Sequence, residues 1–197
     1  HRGTLFPYTT LFRSAGYVLF YIMIAFSQIY AKSAPTVSEA GYAMGLGFSP
    51  QIFTALLMAS AVSLAITIAA SGKYIDKIGR RTWLIWTTVG VAIFSLSLPL
   101  FLENGTTASL FWFLIIGMGL IGMGYGPLAS FLPELFPTHA RYSGASLTYN
   151  IAGLFGASVA AVIALPLNAN YGLKGVGIYL TLNAVLSLVG LWFISET

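Results

Sequence analysis

The sequence predicts an all-α integral membrane protein of six transmembrane helices, and three observations carry that reading. Of its 197 residues, 57% are hydrophobic and only 7% charged, against roughly a quarter charged in soluble domains. A soluble fold of this length could not keep so much apolar surface from water. Apolar runs that meet or approach the length needed to cross a core of about 30 Å occur six times. These runs are continuous rather than alternating in polarity, which selects helices over barrel strands.

The first run extends from Ala15 to about Ala31, the second from Gln51 to Ser71 and the third from Thr82 to Leu102. The fourth spans about Ala108 to Phe131, the fifth about Gly144 to Leu167 and the sixth about Val176 to Ile194. Polar or Gly/Pro-marked breaks separate them: Lys32 to Pro50, Gly72 to Arg81, Glu103 to Thr107, Pro133 to Ser143 and Asn168 to Gly175. Small residues crowd two spans. Gly117, Gly119, Gly122, Gly124 and Gly126 mark the fourth, and Ala152, Gly156 and Ala160 recur at four-residue spacing in the fifth. Such stripes let neighbouring backbones approach closely.

The leader stands apart from this pattern. Thr4 to Ser14 reads TLFPYTTLFRS, which is what a widely used sequencing adapter encodes in one reading frame. Residues 1–14 are therefore expected to be a non-native leader, with the transmembrane bundle in 15–197. Setting them aside removes Arg2 and Arg13 and lowers the net charge from +4 to +2. The native chain is then expected to continue upstream of Ala15.

Charge placement orients the bundle. The loops after the second and fourth spans hold Lys73, Lys77, Arg80, Arg81 and Arg141, whereas the other loops hold Lys32 and Lys174. The positive-inside rule puts the first group in the cytoplasm, together with both ends of the bundle. A net charge so small and scattered argues against a nucleic-acid partner. There are no cysteines, and His1 and His139 are too far apart to propose a metal centre. The expected partners are the bilayer and a small-molecule solute.

The most specific signal follows the second span: Gly72-Lys-Tyr-Ile-Asp76-Lys77-Ile-Gly79-Arg80-Arg81. Its glycines suit a tight turn and its basic cluster anchors one membrane face. Asp76 is placed to face a helix N-terminus or an arginine on a neighbouring helix. The string resembles the G-x-x-x-D-[RK]-x-G-R-[RK] loop of the major facilitator superfamily. After the fourth span, PELFPTHARYSG, with Glu134 and Arg141, looks like the corresponding loop of that superfamily's second half. Continued through ASLTYN, it is most similar to the metabolite–proton symporter family.

The resemblance covers the chain from Ala15 to Thr197 and implies helices seven to twelve of a twelve-helix carrier. The first six helices would be the missing partner bundle. It also implies a gate in which Glu134 and Arg141 engage Asp76, Arg80 and Arg81 when the cavity faces outward. Its members carry organic acids or compatible solutes, so the expected solute is a carboxylate or zwitterion. The expected energy source is a proton gradient, with no cofactor and no enzymatic activity.

Polar residues inside the spans point to a solute cavity. Tyr17, Tyr21 and Gln28 lie within about 40° of one another on an ideal helix. Ser60, Ser63, Thr67 and Ser71 share an arc of about 80° on the second span. Ser146 and Asn150 align on the fifth, beside Tyr149. Each Ser or Thr alone is better explained by a bond to its own helix backbone, and Asn183 reads as a packing contact. No Asp, Glu, Lys, Arg or His lies in the middle of any span. A proton-coupling acid and a buried cation for an anionic solute are therefore expected in the absent half. Two other readings stand beside this one: a half-size carrier or pore made by dimerisation, and a non-transporting membrane sensor or scaffold.

Overall fold

The computed structural model describes residues 15–134, 138, 141–154 and 159–193. Helix α1 is Ala15–Lys32, α2 is Pro50–Ile78, α3 is Arg80–Leu96, α4 is Leu98–Leu102 and α5 is Thr107–Glu134. Helix α6 is Arg141–Gly153 and α7 is Val159–Phe193. Four helices are long and apolar enough to cross a membrane: α1, α2, the first part of α5 and most of α7. The third expected span is α3 and α4 together, with Ser97 between them at φ −83° and ψ −4°. The fifth is α6 followed by the first arm of α7. Gly172, at φ 68° and ψ −171°, ends that arm and turns the chain into the sixth span.

The expected breaks are therefore too wide in two places. Asn168 to Gly175 narrows to the single non-helical residue Gly172. Gly72 to Arg81 narrows to Gly79, because α2 stays helical through Ile78. Local polarity suggested loops, but charged residues on a helix end that projects beyond an apolar core keep their hydrogen-bond ladder.

Helix α1 occupies the centre. Leu19, Met23, Ser27 and Ala31, with Val18, Ile22, Phe26 and Tyr30, are all buried. This strict four-residue spacing would drift around an ideal helix of 3.6 residues per turn. It stays on one face because Ile22–Phe26 forms a π-turn, with Ser27 N–H donating to the Ile22 carbonyl. The extra residue in that turn resets the register.

Around α1, the parallel pair α2 and α5 meets along a small-residue seam. A Cβ on Gly122 would lie 2.6 Å from the Leu64 carbonyl oxygen, and one on Gly126 would lie 3.1 Å from that of Ile68. Ser63 Oγ donates to the Ile115 carbonyl across the seam at 3.0 Å. The opposite face of α2 is open, with Met58 70%, Val62 59% and Ile66 61% exposed. Helix α3 runs against the second arm of α7, where Gly177 would place a Cβ 2.5 Å from the Ser95 carbonyl. Pro99, four residues on, has no N–H to give that carbonyl, so the neighbouring helix can close on it.

Residues 33–49 form an ordered cap. Ser38 N–H donates to the Tyr42 carbonyl at 2.8 Å and Met44 N–H to that of Thr36 at 2.9 Å. The cap docks on the Gly172 turn: Ser38 Oγ donates to the Ala169 carbonyl at 2.7 Å. Asn168 Nδ2 donates to the Ala43 carbonyl at 3.0 Å. A Cβ on Gly172 would meet the Tyr42 ring at 2.6 Å. Both the backbone angle and the space require glycine there.

Candidate functional site

The α2–α3 turn brings the motif residues together. Gly79, at φ 90° and ψ 137°, makes the reversal, its N–H bonded to the Ile75 carbonyl at 2.9 Å. Gly72 plays no part in it. It sits within α2, exposed, with open space where a Cβ would stand. Asp76 and Lys77 are exposed on the last turn of α2, while Arg80 and Arg81, half-buried, begin α3. Tyr74 and Trp83 stack across the turn, ring centroids 6.3 Å apart and planes 4° from parallel.

Asp76 at the end of α2 and Arg80 and Arg81 at the start of α3 oppose the helix dipoles, whereas Lys77 complements the end of α2. A carboxylate in a C-terminal turn and a guanidinium in an N-terminal turn are each disfavoured by about 0.3–1 kcal/mol. Their placement is therefore not explained by the helices that carry them. Arg81 has one local use: its Nη2 donates to the Trp192 carbonyl at 3.1 Å, capping the second arm of α7. Its Nε is buried with no hydrogen-bond partner among the described residues. Arg141 begins α6, half-buried, and its Nε is likewise buried and unpartnered. The Glu134 side chain lies outside the described residues, as do 135–137 and 139–140 of the second motif.

The expected cavity residues fall into separate places. Tyr17, Tyr21 and Gln28 are half-buried on α1, but they do not form one row. The π-turn lies between Tyr21 and Gln28, and its extra residue rotates everything beyond it by roughly 100°. Tyr17 packs on α6, 3.6 Å from where a Gly153 Cβ would be. It also lines a cavity of about 50 Å³ with Thr87, Thr88 and Tyr125. Gln28 instead lines an open groove of about 450 Å³ with Ala25, Ile29, Lys32 and Ser33. The Lys32 ammonium is 5.4 Å from the centre of the Phe53 ring.

On α2 the hydroxyls serve helix packing. Ser60 Oγ donates to the Leu57 carbonyl at 2.7 Å, Thr67 Oγ1 to that of Ser63 at 2.8 Å and Ser71 Oγ to that of Ile68 at 2.7 Å. Ser63, Thr67 and Ser71 face the glycines of α5, so this stripe is the α2–α5 seam. On α6, Tyr149 is half-buried and Asn150 exposed, its Nδ2 donating to the Ser146 carbonyl at 2.8 Å. Asn183 bonds back to the Tyr179 carbonyl at 2.9 Å.

Two contacts of α3, one at each of its ends, were not expected from the sequence. Trp83 Nε1 donates to the Met123 carbonyl on α5 at 2.9 Å. Ser95 and Thr181 pair their hydroxyls between α3 and α7 at 2.5 Å. A signal for the first was present in the chain, since Pro127 stands four residues after Met123.

The described residues form a membrane-length helical bundle with a charged turn at one end. The chain belongs to the major facilitator superfamily, because the profile of its sugar (and other) transporter family matches residues 9–197. It is 97% identical over 183 residues to a Haemophilus influenzae protein whose name proposes metabolite transport, covering 93% of this chain and 41% of that protein. It is 38% identical over 190 residues to the inner membrane metabolite transport protein YhjE of Escherichia coli, covering 95% and 41%. It is 30% identical over 115 residues to the cis,cis-muconate transport protein of Acinetobacter baylyi, covering 58% and 27%. The chain thus spans about two-fifths of the length of the first two of these relatives. No solved structure matches it.

Proposed function

We propose that the chain is the C-terminal six-helix half of a secondary active transporter. That transporter takes up a small organic acid or compatible solute with protons. The single observation that carries this reading is the α2–α3 turn, where Gly79 reverses the chain between Asp76 and Lys77 on one helix and Arg80 and Arg81 on the next. Charges of both signs gathered at one end of the bundle suit a contact with an opposing six-helix bundle. In this mechanism, contacts from Asp76, Arg80, Arg81, Glu134 and Arg141 close the cytoplasmic side when the cavity faces outward. Their rupture lets the two halves rock about a midplane site.

Tyr17, Tyr21, Gln28, Tyr149 and Asn150 are the polar side chains of this half proposed to meet the solute. The Ser60, Ser63 and Thr67 hydroxyls contribute helix packing. The membrane is the bacterial inner membrane, with both ends of the bundle cytoplasmic. The coupling acid resides in the other half, because none lies in the middle of any span here.

The test uses the full-length carrier in proteoliposomes, offered cis,cis-muconate, proline and glycine betaine under an imposed inward proton gradient. Uptake of at least one, abolished by a protonophore, is the expected result. Uptake indifferent to the protonophore removes proton coupling, and uptake of none removes the proposed solute class.

A further inference from the structure

Pro127 lies within α5 and has no N–H to donate to the carbonyl four residues earlier, that of Met123. Inside a membrane an unmet carbonyl is costly, because no water is at hand to bond it. The Trp83 indole fills that vacancy in the ladder, Nε1 standing 2.9 Å from the Met123 oxygen. Trp83 is also tied to the α2–α3 turn. It sits four residues after Gly79, to whose carbonyl its N–H donates at 3.0 Å. Its ring stacks on Tyr74 from the other side of the reversal. One side chain thus joins both arms of the charged turn to the point where α5 lacks a backbone bond.

The surroundings of that point favour bending. Gly122, Gly124 and Gly126 flank Met123, and glycine is the weakest helix former after proline. An indole at the membrane boundary commonly turns its N–H to the headgroups. This one is turned inward to a specific carbonyl.

We infer that Trp83 is a positioning residue that couples the α2–α3 turn to the Pro127 break in α5. Holding the turn in place keeps the Met123 carbonyl satisfied and α5 continuous. Moving the turn withdraws the donor and frees the helix to bend. The consequence for transport rests on the carrier reading above, while the consequence for α5 rests on the bond alone.

The test compares W83F, P127A and the double variant in the full-length carrier, by hydrogen exchange of backbone amides across 119–127 and by uptake. W83F keeps a ring to stack on Tyr74 but has no donor. It is expected to exchange about fivefold faster in this segment, the factor that one net hydrogen bond commands. P127A returns a backbone N–H to Met123, so the double variant is expected to exchange at the wild-type rate and regain uptake. Unchanged exchange in W83F, or a double variant that exchanges like W83F, overturns the coupling. If W83F fails to accumulate, accumulation of the double variant is the expected rescue, and its failure to accumulate overturns the inference. Restored exchange without proton-driven uptake in the wild type would leave the coupling standing and remove the carrier reading.

Discussion

The hydroxyls of Ser95 and Thr181 meet at 2.5 Å between α3 and the second arm of α7. Each also reaches its own helix, Ser95 Oγ donating to the Ala92 carbonyl at 2.7 Å and Thr181 Oγ1 to that of Gly177 at 2.9 Å. Each hydroxyl has a single hydrogen, so the pair shares protons with two carbonyls. Bonds of this kind between membrane helices average about 0.6 kcal/mol. S95A and T181V should each destabilise the detergent-solubilised carrier. A double-mutant cycle of thermal unfolding should return a coupling near that value, and strictly additive losses would show that the two hydroxyls act apart.

The two motif glycines should separate cleanly. G79A forces a side chain into the left-handed region and should cost about 1–2 kcal/mol. G72A sits in helix with open space around it and should leave stability unchanged or raise it by up to about 1 kcal/mol. Melting temperature and uptake, measured together on both variants, check this. Loss of uptake in a stable G72A carrier would mean that the opposing bundle comes close at that position.

Asp76 should behave as a residue held for function. D76N removes a charge from an unfavourable helix end and should stabilise the carrier by roughly 0.3–1 kcal/mol, while uptake falls. A lower melting temperature in D76N would show instead that the carboxylate is satisfied where it stands.

The cap over the Gly172 turn hangs on the Asn168 amide. The residue is fully buried, and its Oδ1 has no partner among the described residues. N168A should cost about 1–2 kcal/mol through loss of the bond to the Ala43 carbonyl. Limited proteolysis of the carrier should then cut faster within 36–44, and an unchanged rate would mean that Ser38 and Tyr42 hold the cap alone.

The number and order of spans were legible because lipid demands long apolar runs, which composition displays directly. The turn at Gly79 was legible because a motif surrounds it. The helicity of Gly72 to Ile78 was not, since charges there mark the membrane boundary and helices do not end where membranes do. The row of Tyr17, Tyr21 and Gln28 assumed a uniform rotation per residue. No residue among Ile22 to Phe26 announces a π-turn, which arises from the packing of α1 at the centre of the bundle. The α2 hydroxyls read as a cavity stripe together and as bonds to their own helix singly, and the α5 glycines that face them belong to tertiary packing, which the sequence does not display. Trp83 could have been paired with α5 from Pro127, but which donor reaches a freed carbonyl is a matter of tertiary structure.

The wide turn in α1 splits one rod into two faces. Before it, Tyr17 and Tyr21 share a side. Beyond it, Gln28 looks another way, into the groove beside Lys32. A single helix thereby offers different chemistry to its surroundings at its two ends.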